Sequence, residues 1–295
     1  MKIAVIEPIG IPIEEIRSEL SAHKILECDS RNWNDEQLSE FIKDVEIIAL
    51  TNRHLSADVI DSAGKLKFIA VAFSGIDHID MNAKEKRQIP VKNAGGYANT
   101  AVAELVFGLM ISLARNIPDN NRNIRQQAAS NTGVELKNKV LGIVGFGAIG
   151  LEVARLAKAF QMQTLVYDRK SQLTLENVFS QSDFVTLHVP LSNETRGMVS
   201  LRLLSKMKKT AYLINCARGP IVISDDLKQA LEQRLIAGAA LDVFDSEPPL
   251  PINYGLLDAP NLIATPHIGF NTREALIAKG KLTVKNIQEF LKESS

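Results

Sequence analysis

Cysteine is scarce. The 295-residue chain holds two, Cys28 and Cys216, too few for a disulfide framework, so a reducing, cytoplasmic setting is expected. A signal-peptide core is also missing, because the amino terminus reaches Glu7 and Pro8 too soon. No apolar run is long enough for a bilayer, which takes roughly 20 residues. The nearest, Ala101 to Ala114, is interrupted by Glu104 and reads as a buried helix. Charge of either sign is not in excess, with 34 Lys+Arg against 34 Asp+Glu; that removes the basic footprint nucleic acid requires and leaves no membrane partner in view. Internal repeats and low-complexity tracts are absent as well. A small molecule is the partner these absences leave.

What is present is an alternation of apolar, β-branched runs with amphipathic segments. The runs are Lys2 to Glu7, Glu46 to Leu50, Phe68 to Phe73, Val140 to Val144, Gln163 to Tyr167, Phe184 to Val189, Ala211 to Asn215, Ala237 to Val243 and Leu262 to Ala264. They read as buried parallel strands, and the whole as α/β. The length favours two domains. The helix expected from about Asn99 to Arg115 is apolar nearly all round, which predicts burial on more than one side and suits a domain junction or subunit interface. Thr272 to Glu293 carries apolar residues at helical spacing and is expected to return to the first domain, whereas Pro118 to Thr132 is polar enough for a solvated helix or loop.

The turn Gly145-Phe-Gly147-Ala-Ile-Gly150 follows one of these strands and opens a helix, and Asp168 closes the next strand 18 residues after Gly150. That context makes a dinucleotide-binding fingerprint of an otherwise weak motif. Gly145 permits the tight turn, Gly147 admits the pyrophosphate, Gly150 lets helix and strand pack, and the helix N-terminus faces the anion. Asp168 is expected to accept from the adenosine ribose hydroxyls. Its charge opposes a 2′-phosphate, so NAD is expected over NADP, a preference that the adjacent Arg169 and Lys170 soften.

Three further motifs end strands: Asn215-Cys-Ala-Arg218-Gly219, Asp242-Val-Phe-Asp-Ser-Glu247-Pro248 and Thr265-Pro266-His267. Reducing a 2-keto acid by hydride transfer puts negative charge on the carbonyl oxygen, which needs a proton donor, and a cation must fix the carboxylate. Arg218 has the planar fork for the second task, although it reads equally as a surface arginine paired with Asp225 or Asp226. His267 is the candidate acid/base, and its case rests on a carboxylate that would favour the charged imidazole and hold one tautomer. Glu247 fits that part, with Asp245 a competitor that spacing does not eliminate. His188 reads as cofactor-adjacent or structural. His78 stands beside Ser74 and Gly75, whose backbone amides are placed to bind a substrate carboxylate. No metal site is read from the sequence.

These residues resemble the D-isomer-specific 2-hydroxyacid dehydrogenase family nearly end to end. Gly133 to Gly150 is similar to the family's entry to its cofactor domain, and Leu187-His-Val-Pro190-Leu-Ser-Asn-Glu-Thr195-Arg-Gly-Met198 to its second signature. The resemblance implies a Rossmann-type NAD-binding domain, residues 99–269, inserted into a discontinuous flavodoxin-like substrate domain, residues 1–98 and 270–295. It implies Arg218 on the substrate, His267 as acid/base, Glu247 as its partner and Asp242 on the nicotinamide carboxamide. Thr100, Ala148, Ile149, Asp168, Thr195 and the backbone of Cys216 and Ala217 complete the cofactor contacts, and Ser74 and Gly75 the substrate's. A homodimer formed through the cofactor domains is implied too. The stretches Gln126 to Thr132 and Tyr167 to Ser182 are shorter than the family's, and no regulatory extension follows the last helix, so control by serine is not expected. The same scaffold also carries phosphite oxidation and non-enzymatic, NAD(H)-sensing corepressors. Phe73 narrows the expected pocket toward short keto acids, while Arg53 and Lys92 are cations of the kind a phosphorylated substrate needs.

Overall fold

Apolar runs of three to seven residues become strands of three to five in the computed structural model, which describes residues 1–246 and 249–294. By contact the chain divides into two units: Met1–Ala98 with Thr272–Ser295, and Asn99–Asn271.

In the first unit, β1 (Lys2–Val5), β2 (Lys24–Glu27), β3 (Ile47–Leu50), β4 (Phe68–Val71) and β5 (Val91–Asn93) pair in the order β2-β1-β3-β4-β5, all parallel. This is the flavodoxin-like order. Alternate residues of each strand serve opposite faces. Ala4, Ile48, Leu50, Ile69 and Val71 pack with Leu38, Ile42, Val59 and Ile60 from helices Asp35–Ile42 and Ala57–Ser62. Ile3, Val5, Ile47, Ala49, Phe68 and Ala70 pack with Val284, Ile287 and Leu291 of helix Arg273–Glu293. Phe290 of that helix stacks on Phe68 with ring centroids 4.5 Å apart.

In the second unit, β6 (Val140–Val144), β7 (Gln163–Tyr167), β8 (Phe184–Leu187), β9 (Tyr212–Asn215), β10 (Gly238–Leu241) and β11 (Leu262–Ala264) pair as β11-β10-β9-β8-β6-β7, again all parallel. Strand order reverses at β6, between β7 and β8. Helix Asn99–Ala114 lies against one face of this sheet. Its Ala103, Val106 and Met110 share a core with Ile143, Ile214 and Ala240, and with Val153 and Ala157 of helix Ala148–Ala159. Burial by sheet and helix together accounts for its lack of a polar face. Among the described residues no single helix is long and apolar enough to cross a membrane.

Three of the nine expected strands keep their bounds. The others are shorter, mostly at the carboxyl end, because an apolar run reports burial, and burial continues where pairing has stopped. Past Val5, Ile6 is fully buried, and the Glu7 carboxylate takes up backbone N–H groups of another loop. Strands β2 and β5 were not expected. Both are edge strands whose half-exposed residues give no apolar run.

Candidate active site

Because every strand of the second sheet is parallel, the segments after all six emerge at one edge, and the reversal at β6 opens a crevice between the ends of β6 and β8. Gly145 follows β6 with φ +98°, and a Cβ there would lie 2.6 Å from the carbonyl carbon of His188. Only glycine meets both demands. A Cβ on Gly150 would lie 2.2 Å from the Gly145 oxygen, so helix Ala148–Ala159 starts tight against the turn. Gly147, its N-cap, has no side chain to cap the first amides and faces open space, with nothing within 4 Å of a notional Cβ. Uncapped amides at the start of a twelve-residue helix, beside open space, fit an anionic pyrophosphate. Ala148 is exposed and Ile149 half-buried in that first turn.

Asp168 directly follows β7. Its Oδ1 accepts from the Lys170 N–H at 2.8 Å, and the carboxylate stands at the edge where a ribose would be read. Arg169 is turned to an exposed ion pair with Glu194 at 3.4 Å. The His188 ring is bonded through Nε2 to Thr186 Oγ1 at 2.9 Å, and its buried Nδ1 has no hydrogen-bond partner among the described residues. Burial pushes its pKa down to about 4, so the ring is neutral at neutral pH. The Thr195 hydroxyl donates to the Pro190 carbonyl at 2.7 Å and accepts from the Ser192 N–H at 2.8 Å, fixing the loop after His188. Thr100 is exposed in the first turn of helix Asn99–Ala114.

Arg218 is carried by a turn that fully buried Asn215 builds at the end of β9. Asn215 Oδ1 accepts from the Ala217 N–H at 3.0 Å, and Nδ2 donates to the Arg218 carbonyl at 3.0 Å. The half-buried guanidinium donates through Nη1 to the Ala217 carbonyl at 2.8 Å. Asp226, one of the alternative partners considered for Arg218, accepts from the Leu201 N–H at 2.7 Å. Burial, reinforced by the nearby Asp242 charge, holds the Cys216 thiol well above its ordinary range and so in the protonated form.

His267 follows β11 in the left-handed region, at φ +55°, which costs a non-glycine residue about 1–2 kcal/mol. Its N–H donates to the Thr265 carbonyl at 3.0 Å, and its ring meets Phe270 edge to face at 5.6 Å. Asp242, 1% exposed after β10, grips the same loop: Oδ1 accepts from Thr265 Oγ1 at 2.6 Å and from the Ile268 N–H at 2.8 Å, and Oδ2 from the Gly269 N–H at 2.7 Å. That bracing around the histidine was not read from the sequence. Asp245 bonds through Oδ2 to the Ser224 hydroxyl at 2.6 Å and the Tyr254 hydroxyl at 3.1 Å. Glu247 lies outside the described residues.

In the first unit, Ser74 and Gly75 follow β4 in a loop tied down by Asn93, whose Nδ2 donates to the Ser74 carbonyl at 2.6 Å. The Phe73 ring lies 6.4 Å from Tyr97. Burial lowers the His78 pKa to about 4. The two cations weighed for a phosphate have protein partners: Arg53 donates to Asp35 Oδ1 at 2.7 Å and to the Trp33 carbonyl at 3.1 Å, and Lys92 pairs with Glu289. Glu7 is the residue sequence reasoning passed over. It is 2% exposed, and its Oε2 accepts from the backbone N–H groups of Thr51, Asn52 and Arg53 at 2.8, 2.9 and 2.8 Å, joining the ends of β1 and β3. An acid closing an apolar strand was the available signal.

The second unit thus brings Gly145 to Gly150, Asp168, His188, Cys216 to Arg218, Asp242 and His267 to one sheet edge, while Ser74 and Gly75 belong to the first unit. The family model described as "D-isomer specific 2-hydroxyacid dehydrogenase, NAD binding domain" matches residues 107–269. A glyoxylate reductase of Thermofilum pendens is 37% identical over 286 residues, covering 90% of this chain and 84% of that protein. A D-3-phosphoglycerate dehydrogenase of Methanocaldococcus jannaschii is 35% identical over 308 residues, covering 99% of this chain but 58% of its own length. Among solved structures, D-lactate dehydrogenase from Aquifex aeolicus, complexed with NAD and lactic acid, superposes with a TM-score of 0.85 at 26% identity, covering 99% of this chain and 96% of that one.

Proposed function

The chain belongs to the D-isomer specific 2-hydroxyacid dehydrogenase family, and from that premise we propose that it is an NAD-dependent oxidoreductase interconverting a small 2-keto acid and its D-2-hydroxy acid. The observation that carries this reading is the convergence, on one edge of the second sheet, of an uncapped, glycine-lined helix start with an arginine and a histidine from two other strand ends.

The second unit is the NAD-binding domain and the first the substrate domain. Gly145, Gly147 and Gly150 with the amides of Ala148 and Ile149 hold the pyrophosphate. Asp168 accepts from the ribose hydroxyls, and its charge disfavours a 2′-phosphate, so NAD is used over NADP. Thr100, His188, Thr195, Cys216, Ala217 and Asp242 complete the cofactor's surroundings. When bound, the reduced nicotinamide supplies a hydride to the carbonyl carbon.

Arg218 clamps the substrate carboxylate and polarises the carbonyl, a task suited to its fixed planar donors. The amides of Ser74 and Gly75 are further donors to the carboxylate. His267 gives a proton to the carbonyl oxygen in reduction and recovers it in oxidation. Glu247 orients the imidazole; the engagement of Asp245 with Ser224 and Tyr254 supports Glu247 over Asp245 in that part. Phe73 favours short side chains, glyoxylate or hydroxypyruvate, and the partnered state of Arg53 and Lys92 favours unphosphorylated acids. The protein works as a cytoplasmic homodimer joined through the NAD-binding domains. The relatives' keto-acid and hydroxy-acid chemistry favours this reading over phosphite oxidation or a corepressor-like role.

The test is loss of reduced-nicotinamide absorbance when the protein meets NADH with glyoxylate, hydroxypyruvate, pyruvate, phenylpyruvate or 2-ketoisocaproate. Consumption fastest with glyoxylate or hydroxypyruvate is expected. NADH binding by fluorescence with no consumption in any well would overturn the reading.

A further inference from the structure

The left-handed conformation of His267 needs an external cause, because nothing in a Thr-Pro-His sequence favours it. Thr265 extends the β10–β11 ladder by one bond, its N–H donating to the Leu241 carbonyl at 2.9 Å. Pro266 has no N–H to give. Beyond it the chain reverses so that the Ile268 and Gly269 amides return to the carboxylate that Thr265 already holds. Asp242 therefore grips the loop on both sides of the histidine, and its own backbone is fixed by its N–H bond to the Asn215 carbonyl at 2.9 Å. Of the three donors, two are backbone amides that almost any residue supplies. The Thr265 hydroxyl is the side-chain donor, and its 2.6 Å contact is the shortest of the three.

We propose that Thr265 is a positioning residue for hydride transfer: through the buried Asp242 carboxylate, its hydroxyl holds His267 in the left-handed conformation from which the imidazole exchanges its proton. The inference rests on the reading of His267 as the acid/base. Removing the hydroxyl leaves one carboxylate acceptor site empty in a buried setting and frees the residue that enters the turn. The imidazole then samples other directions while the ring itself is unchanged. Misorientation of a reacting group is expressed in turnover more than in cofactor affinity.

Thr265→Val keeps the shape and deletes the donor; Thr265→Ser keeps the donor. With keto acid and NADH, kcat in the valine variant should fall about 10-fold or more, with the NADH dissociation constant from fluorescence within about 2-fold of the parent. The serine variant should recover most of the loss. Thr265→Ala against Thr265→Ser gives the same comparison should valine not fold. Parent-like kcat in valine, an equal loss in serine, or a kcat loss matched by weaker NADH binding would each overturn the proposal. His267→Asn, assayed alongside, separates the two levels: an inactive asparagine variant with a fully active valine variant sinks only the role of Thr265, whereas an active asparagine variant sinks the acid/base reading beneath it.

Discussion

Gly219 lies against the backbone of Phe244 so closely that a Cβ on it would stand 1.7 Å from the Phe244 carbonyl oxygen. The turn carrying Arg218 is thereby pressed onto the segment that runs from Asp242 toward Glu247, and the position of the arginine is set by a neighbour that has no give.

Gly219→Ala is accordingly expected to push the Arg218 turn off that backbone. A destabilisation of about 1–3 kcal/mol, or more, is typical of such overpacking, with a rise in KM for the keto acid as the arginine shifts. Thermal unfolding and steady-state kinetics read both, and a variant with parent-like melting and KM would contradict the close approach.

His267→Asn should keep the fold, because asparagine enters the left-handed region more readily than most residues, while turnover falls about 10²-fold or more. The check is kcat at equal NADH saturation together with the melting temperature. Near-normal turnover would remove the histidine from the mechanism.

Asp168→Ala should raise the ratio of NADPH to NADH efficiency by about tenfold or more, since one like charge beside the 2′-phosphate is removed. An unchanged ratio of kcat/KM values would place the adenosine ribose elsewhere.

Acid stability provides an independent check on His188. Burial holds its pKa near about 4, below the ordinary 6.5. Between those values the unfolded chain takes up a proton that the folded chain refuses, so this contribution is present above pH ~6.5 and is lost as pH falls toward ~4, at up to about 1.4 kcal/mol per pH unit. His78, less fully buried, acts in the same direction. Urea midpoints should fall between pH 7 and 4.5, and fall less in His188→Gln. Equal falls in both proteins would mean that the ring is not held neutral.

The sequence carried the fold wherever a strand reads as a continuous apolar or β-branched run, at a sheet edge as well as in its middle. Val140–Val144, Gln163–Tyr167 and Leu262–Ala264 agree with their apolar runs to the residue. It failed at Lys24–Glu27 and Val91–Asn93, edge strands with at most two apolar residues in a row, where pairing has no hydrophobic signature. At the site, the glycine turn was legible because steric demands admit one residue type. Asp242 was legible only as a motif member, since a carboxylate looks the same whether it meets a ligand or braces a loop. Asp245 and Glu247 were indistinguishable by spacing. The structure gives Asp245 to Ser224 and Tyr254, contacts made across 21 and 9 residues that no local pattern announces. Arg53 looked like a ligand cation for the same reason: its partner Asp35 is 18 residues away.

The helix Arg273–Glu293 closes one face of a sheet made from residues 2–93. During synthesis that face waits. Ile3, Val5, Ile47 and Phe68 have only Ile9, Ile16 and Leu20 to pack with until Val284, Ile287 and Leu291 emerge, by which time every strand of the intervening unit has already been made. The interior segment can therefore mature first on the ribosome, and the unit whose strands come first in the sequence is the last to finish, its apolar face half covered in the meantime and open to whatever chaperone attends the nascent chain.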